Sequence, residues 1–357
     1  MMAVVQKERL ILFQVLIKTI VMTSEFEQIF VSVIIRSYNR LQHVLEILSV
    51  CAEQDYDKYE VVIIEQSTNQ HWNEYKEKVE KYSDIARVIR SKPLGPPGAR
   101  NVGVAHSLGN VVLFIDDDDL PVGNNWVSGH AKNYKDPACI GVGGKHIHSI
   151  GEKNRYKDNQ KAYDRCLSLS FLLHGRVFTG INKVKKPVEW LHGNNCSIRK
   201  NTIIKLGGWY PFIDGAGEEH SLFYKFQNKK ISNEYLMFNP EPTVYRRFNI
   251  AGGVARRSVN LRTLLIHRMQ YYHWVISTHF PIRFYCLYPI FMLYGFKVST
   301  RYLRKNSSYE HVFLTKLFGP LFGQKIYFLM EFIHYPILVI KYLLKKKPHW
   351  DGILRQV

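Results

Sequence analysis

The sequence is poor in acidic residues. Against 49 Lys and Arg it carries 30 Asp and Glu, a formal net charge of +19 over 357 residues. A surplus of that size points to polyanionic partners: nucleic acid, an anionic membrane surface or phosphorylated substrates. Cysteine is also scarce. Cys51, Cys139, Cys166, Cys196 and Cys286 are scattered, odd in number and never set as a CxxC pair. That argues against a disulfide framework or a zinc site, and for a reducing compartment. No zinc-finger, helix-turn-helix or RNA-recognition signature accompanies the positive charge, which sets nucleic acid aside. Low-complexity tracts are absent, and 46% hydrophobic with 22% charged residues excludes a disordered tail or a collagen-like rod. The length suits two domains, or one large α/β domain with an appendage.

Long uninterrupted apolar runs are missing as well. The stretch from Leu10 is broken by Lys18 and is followed by no small-residue cleavage site, so residues 1–29 read as a peripheral helix rather than a signal peptide. Near the other end, Phe280 to Val298 and Ile326 to Leu344 approach spanning length but are interrupted by Arg283 and by Glu331, His334 and Lys341. A span needs about 20 mainly apolar residues, so both read as interfacial or re-entrant helices. From Ser258 onward there are 14 Lys and Arg against three acidic residues, which places eleven of the net +19 in the last hundred positions. Basic residues mixed with aromatic and aliphatic ones match an anionic membrane surface. A solvated basic face is the plainer alternative.

Between these ends the pattern is α/β. VSVIIRS, YEVVIIEQS, DIARVIRS and VVLFIDDDD are apolar runs separated by helical patterns such as LQHVLEILSVCAEQ and by the Gly- and Pro-rich loop LGPPGARNVG. Continuous Val/Ile runs of this kind predict a mostly parallel sheet covered on both faces. In such sheets ligands bind beyond the carboxyl ends of the strands, so the chemistry is expected after Ile35, Ile64 and Ile115. Further on, CIGVGGKHIHSI, VEWLHGNNCSIRK and YLMFNPEPTVYRRF read as patchier strands, with a helix from Lys200 and another after GAGEE.

Asp116, Asp117, Asp118 and Asp119 close the fourth of these strands. Side chains alternate in an extended segment, which would put Asp116 and Asp118 on one face. Two unit charges 4 Å apart repel by about 4 kcal/mol at an effective dielectric of 20. Four neighbouring carboxylates therefore imply either a divalent cation or a solvated acidic loop. Glu218 and Glu219 follow Gly215 and Gly217 at a helix start. Acidic residues are common there for capping alone. Beside an aspartate cluster they are also candidates for a general base. His146 and His148 lack a third ligand for zinc.

In order and spacing, VSVIIRSYNR, GPPGARNVG, FIDDDD, VEWLHGNNCSIRK, GGWYPF and GAGEEHSLFYKF resemble the family 2 glycosyltransferases of the GT-A fold. The resemblance covers about two-thirds of the chain, from Val31 to Arg257. It implies a Rossmann-like α/β domain over 30–257, preceded by the peripheral helix of 1–29 and followed by a helical, membrane-associated region over 258–357. It implies a nucleotide-diphosphate sugar as donor, with Ser37, Tyr38, Glu65, Arg100, Asn101, Asp116 and Asp117 as donor contacts. Asp116 and Asp118 would hold Mn2+ or Mg2+. Trp190, Gly193 and Asn195 would face the sugar or acceptor, and Arg256 and Arg257 would cover the phosphates. Glu219 would be the base of an inverting transfer, with Glu218 beside it. The chain departs from the family in having Glu65-Gln66 where an Asp-containing turn is usual, and Glu218-Glu219 for the usual Glu-Asp. Those departures keep open a catalytically silent glycan- or nucleotide-binding scaffold. The basic, aromatic tail suggests a glycan or lipid-linked acceptor and a place at the cytoplasmic face of a membrane.

Overall fold

The computed structural model describes residues 29–67, 72–148, 167–169, 183–210, 218–229, 233–247 and 279–286. In the first half β1 (Val31–Ser37), α1 (Leu41–Cys51), β2 (Tyr59–Glu65), α2 (Trp72–Glu80), β3 (Ala86–Arg90), α3 (Gly95–His106) and β4 (Val111–Asp116) alternate as the sequence predicts. Beyond them come β5 (Asp119–Pro121), α4 (Trp126–Ala131), β6 (Cys139–His148), β7 (Lys186–Val188), β8 (Cys196–Arg199), α5 (Lys200–Lys205), α6 (Glu218–Lys229), β9 (Tyr235–Arg246) and the short α7 (Pro281–Cys286). All nine strands join one sheet in the order β3-β2-β1-β4-β8-β6-β9-β5, with β7 also on β9. The four strands β3, β2, β1 and β4 are parallel. The other half is mixed, since β8 runs antiparallel to both β4 and β6 while β6 and β9 are parallel.

Alternation along buried strands feeds two cores. Val31, Val33 and Ile35 of β1 face α1 and α2 with Val61 and Ile63, whereas Ile34 faces α3 with Val62, Ile64, Val112 and Phe114. Helix α3 packs close because Gly103 has no side chain: a Cβ there would stand 2.4 Å from Ile34 Cγ2. GPPGARNVG is the first two and a half turns of α3 rather than a loop leading into it. Pro96 and Pro97 occupy its first turn, where no intrahelical N–H is needed.

Strand register sets the site. Ser37 lies opposite Glu65, and Arg36 opposite Asp116, so the ends of β1, β2 and β4 form one edge. The helix expected over 1–29, nearly all of 258–357, and with them Arg256 and Arg257 lie outside the described residues. Among the described residues no helix is long and apolar enough to cross a membrane.

Candidate active site

Extended alternation does not bring the aspartates together. Strand β4 stops at Asp116, positions 117 and 118 turn, and Asp119 opens β5 against Arg246 of β9. The turn makes the carboxylates of Asp116, Asp118 and Asp119 converge, each offering an oxygen within 4.8 Å of the others. Asp117 leaves this group and pairs with Arg40, Nη1 to Oδ1 2.5 Å, at the start of α1. Arg247 braces the same turn, donating from Nη2 to the Asp117 carbonyl at 3.2 Å and from its backbone N–H to the Asp118 carbonyl at 2.9 Å. The fourth aspartate thus anchors the turn. Burial pushes its carboxyl up to about 6.

The three converging groups have different partners. Oδ1 of Asp116 accepts from Arg36 Nε at 3.0 Å and Nη2 at 2.5 Å, and lies 3.8 Å from Nη2 of Arg100. Burial alone would raise the Asp116 carboxyl, but the guanidiniums of Arg36 and Arg100 outweigh it and hold the group well below the usual range. Asp119 is fully buried, and burial pushes its carboxyl up to about 7. Asn194 donates to its Oδ2. Oδ1 of Asp118 and Oδ1 of Asp119 are buried without a hydrogen-bond donor. Two such oxygens beside a third carboxylate are the donor set a hard divalent cation takes.

Opposite the turn stands Glu219, in the first turn of α6. Gly193 lies between Glu219 and Arg100: a Cβ at 193 would meet Glu219 Cγ at 2.4 Å and Arg100 Nη2 at 2.6 Å. The missing side chain lets the Glu219 carboxylate approach the buried arginine, which in turn faces Asp116. Burial works to raise the Glu219 carboxyl, but His192, Arg100 and His220 hold it below its ordinary value. It is ionised at neutral pH. Glu218 opens the same helix.

A ring wall flanks Glu219. The Trp190 indole lies over His220 with centroids 4.4 Å apart, and His192 meets His146 at 5.0 Å. Trp190 is 2% exposed and donates from Nε1 to the Ser168 carbonyl at 3.2 Å. Nδ1 of His192 is hydrogen-bonded to Oδ1 of Asn194, so a line of hydrogen bonds runs from His192 through Asn194 to Asp119.

Several sequence-predicted residues brace the site from behind. Asn195, at φ +51, accepts on Oδ1 from Trp126 Nε1 at 2.7 Å, with His130 Nε2 at 3.1 Å, and donates from Nδ2 to the carbonyls of Lys145 and Pro242. That uses all four hydrogen-bonding positions of the amide. Asn101 clamps the Trp209 backbone with two hydrogen bonds of 2.9 Å. Oε1 of Glu65 accepts from the Ser67 N–H at 2.6 Å, and Ser67 Oγ accepts from the Asn39 N–H at 2.6 Å, which ties the ends of β2 and β1 together. Ser37 is buried beside this tie, and Tyr38 is half exposed. Sequence reading missed Arg36 and Asn194. Arg36 had a signal, a cation at the end of an otherwise apolar buried strand. Asn194 had none beyond its place between Gly193 and Asn195.

Comparison with known proteins bears on the fold and on the family of one segment. An uncharacterized glycosyltransferase of Rickettsia felis is 30% identical over 132 residues, 34% of this chain and 21% of the relative, so the match spans about a fifth of that protein's length. Among solved structures, a mannosyltransferase from Pyrobaculum calidifontis in complex with GDP-Man and Mn2+ superposes with a TM-score of 0.51 at 15% identity, over 87% of this chain and 86% of that one. Residues 1–349 of Staphylococcus aureus TarS in complex with UDP-GlcNAc give 0.51 at 16% identity, over 86% and 81%. Likeness at this identity concerns the fold. Residues 32–207, just under half of the chain, match the family model described as glycosyl transferase family 2, and it is over this segment that the family is shown.

Proposed function

We propose that the chain transfers a sugar from a nucleoside diphosphate donor to a hydroxyl of a glycan or lipid-linked acceptor, with inversion and with a divalent metal. The observation that carries this reading is the convergence of the Asp116–Asp118–Asp119 turn and Glu219 on either side of Arg100 and Gly193. The solved relatives with GDP-Man and UDP-GlcNAc support a nucleotide-sugar donor without choosing its base.

In this reading the donor lies across the ends of β1, β2 and β4. A divalent cation held by Asp116, Asp118 and Asp119 would offset the negative charge that grows on the departing diphosphate. Arg100 adds a fixed positive charge on the same side. Glu219, already ionised, takes the proton of the acceptor hydroxyl as its oxygen attacks the anomeric carbon. The bond from that carbon to the phosphate oxygen breaks, and the nucleoside diphosphate leaves with the electron pair. One displacement inverts the anomeric centre. The wall of Trp190, His192 and His220 limits water beside Glu219, which disfavours hydrolysis over transfer.

The test is release of nucleoside diphosphate from a panel of nucleotide sugars with Mn2+ or Mg2+, with and without EDTA. Metal-dependent release from one donor, lost in Asp118→Asn, is expected. Binding of a donor with no release, even with glycan or lipid acceptors added, would establish the silent scaffold instead.

A further inference from the structure

Helix α6 carries Glu219 in its first turn, and three of its faces are fastened. Leu222, Phe223 and Phe226 enter the core cluster that holds Phe114 and Trp209. Lys225 is 6% exposed, donates from Nζ to the Gly208 carbonyl at 2.6 Å and lies 3.9 Å from the centre of the Tyr210 ring. The third face is the stripe of His220, Tyr224 and Asn228, which share one side of the helix at a spacing of four. His220 lies under Trp190, and its ring centroid is 5.8 Å from that of the fully buried Tyr224. The far end of this stripe is held from much later in the chain. The Phe280 ring meets Tyr224 edge-on at 5.2 Å, and Asn228 donates from Nδ2 to the His279 carbonyl at 2.7 Å. The His279 imidazole reaches across to Tyr210, Nε2 to hydroxyl 3.4 Å. Residues 279 and 280 thus pin α6 and the stretch ending in Tyr210 to each other.

We propose that His279 and Phe280 are positioning residues for Glu219: a segment of the C-terminal region fixes the helix that carries the base. The inference rests on the reading of Glu219 as that base. The family match ends at residue 207, so it covers neither α6 nor this segment. Apolar contacts alone are non-directional and let a helix slide or roll against a core. Lys225, Asn228 and the edge-on Phe280 ring add directional contacts on two further faces, and these set the register of α6. A shift of about 1 Å at a reacting group can cost a hundredfold in rate. A contact worth little to stability can therefore be worth much to turnover. Tyr210, Tyr224 and Asn228 have no place in the donor reading, so the effect falls on transfer rather than on donor affinity.

The experiment uses the full chain with Phe280→Ala, with Asn228→Ala, which releases His279, and with Phe280→Tyr, which keeps the ring. Thermal melts check folding. Asn228 is exposed, so its variant is expected to fold whatever Phe280→Ala does. UDP and GDP are titrated calorimetrically with Mn2+, and turnover is read as release of nucleoside diphosphate from a panel of nucleotide sugars at saturating donor. Phe280→Ala and Asn228→Ala should each lose about tenfold in turnover, less than a full 1 Å displacement would cost, with nucleotide affinity unchanged. Phe280→Tyr should restore most of what Phe280→Ala loses. The two alanine substitutions are then made in Glu219→Gln, where they should cost nothing more, because they act through a carboxylate already removed. Unchanged turnover in the variants that fold, a parallel loss of nucleotide affinity, or the same tenfold loss in the Glu219→Gln background would overturn the proposal and leave Glu219 as the base. Wild-type turnover in Glu219→Gln, or no release by the wild type from any donor, would remove the base assignment and the proposal with it.

Discussion

Gly193 gives the most local prediction. A methyl group there would stand nearest to Glu219 Cγ and the guanidinium of the buried Arg100, so Gly193→Ala is expected to push Glu219 aside. Displacing a reacting group by about 1 Å can cost a hundredfold in rate. Donor turnover should fall by about that factor while the melting temperature moves little. An unchanged rate would mean that turnover does not depend on the position Glu219 takes beside Gly193. Asp117→Asn carries the opposite expectation. Asp117 anchors the turn through Arg40 and stays out of the converging trio, so its loss should lower stability more than affinity for a metal. Thermal melts and Mn2+ titration of the variant check this. At this scale the residue types were legible: Asp116, Asp118 and Glu219 could be named from motif and spacing. Their partners were not. Arg36 lies 80 positions from Asp116, and nothing local in the sequence joins them. Asn101 and Asn195 were expected at the ligand, and their amides brace Trp209 and the β8 approach instead.

At the scale of elements, the continuous Val and Ile runs identified the parallel half of the sheet, because strands buried on both faces have a pattern that no exposed element shares. The antiparallel half was harder to read. Strand β9 carries Pro240 and Pro242, and the register between β6 and β9 slips at two places, so neither strand shows a clean period. Even the aspartate row was misjudged by alternation, since a turn and not an extended strand groups it. Helix α4 offers a test of how the two halves are joined. His130 is fully buried between Asn195 and Ser197, and burial holds its imidazole down at about 4 against 6.5 in a free side chain. A folded-state value below the unfolded one means that the unfolded chain takes up the proton first. Stability is therefore complete above about pH 6.5 and lost as pH falls toward 4, by about 3 kcal/mol from this residue. Denaturant unfolding at pH 7 and pH 4.5 should show that loss, and His130→Gln should flatten it. A slope that persists in the variant would assign the acid sensitivity to other groups.

For the whole molecule, the excess positive charge and its concentration after Ser258 are properties of the sequence. In the proposed reading they hold the enzyme at an anionic membrane surface, near a lipid-linked acceptor. The full chain should sediment with phosphatidylglycerol vesicles at low salt and be released at high salt. Failure to sediment at low salt would remove the membrane from the account and leave the sugar chemistry untouched. The proposed chemistry has Glu219 acting as the base across from the aspartate turn. The most direct test compares donor affinity and turnover in Glu219→Gln, a variant of nearly the same shape. The account predicts donor binding close to wild type and transfer reduced about a hundred- to ten-thousandfold. Transfer at the wild-type rate would contradict it and move the base elsewhere in the site.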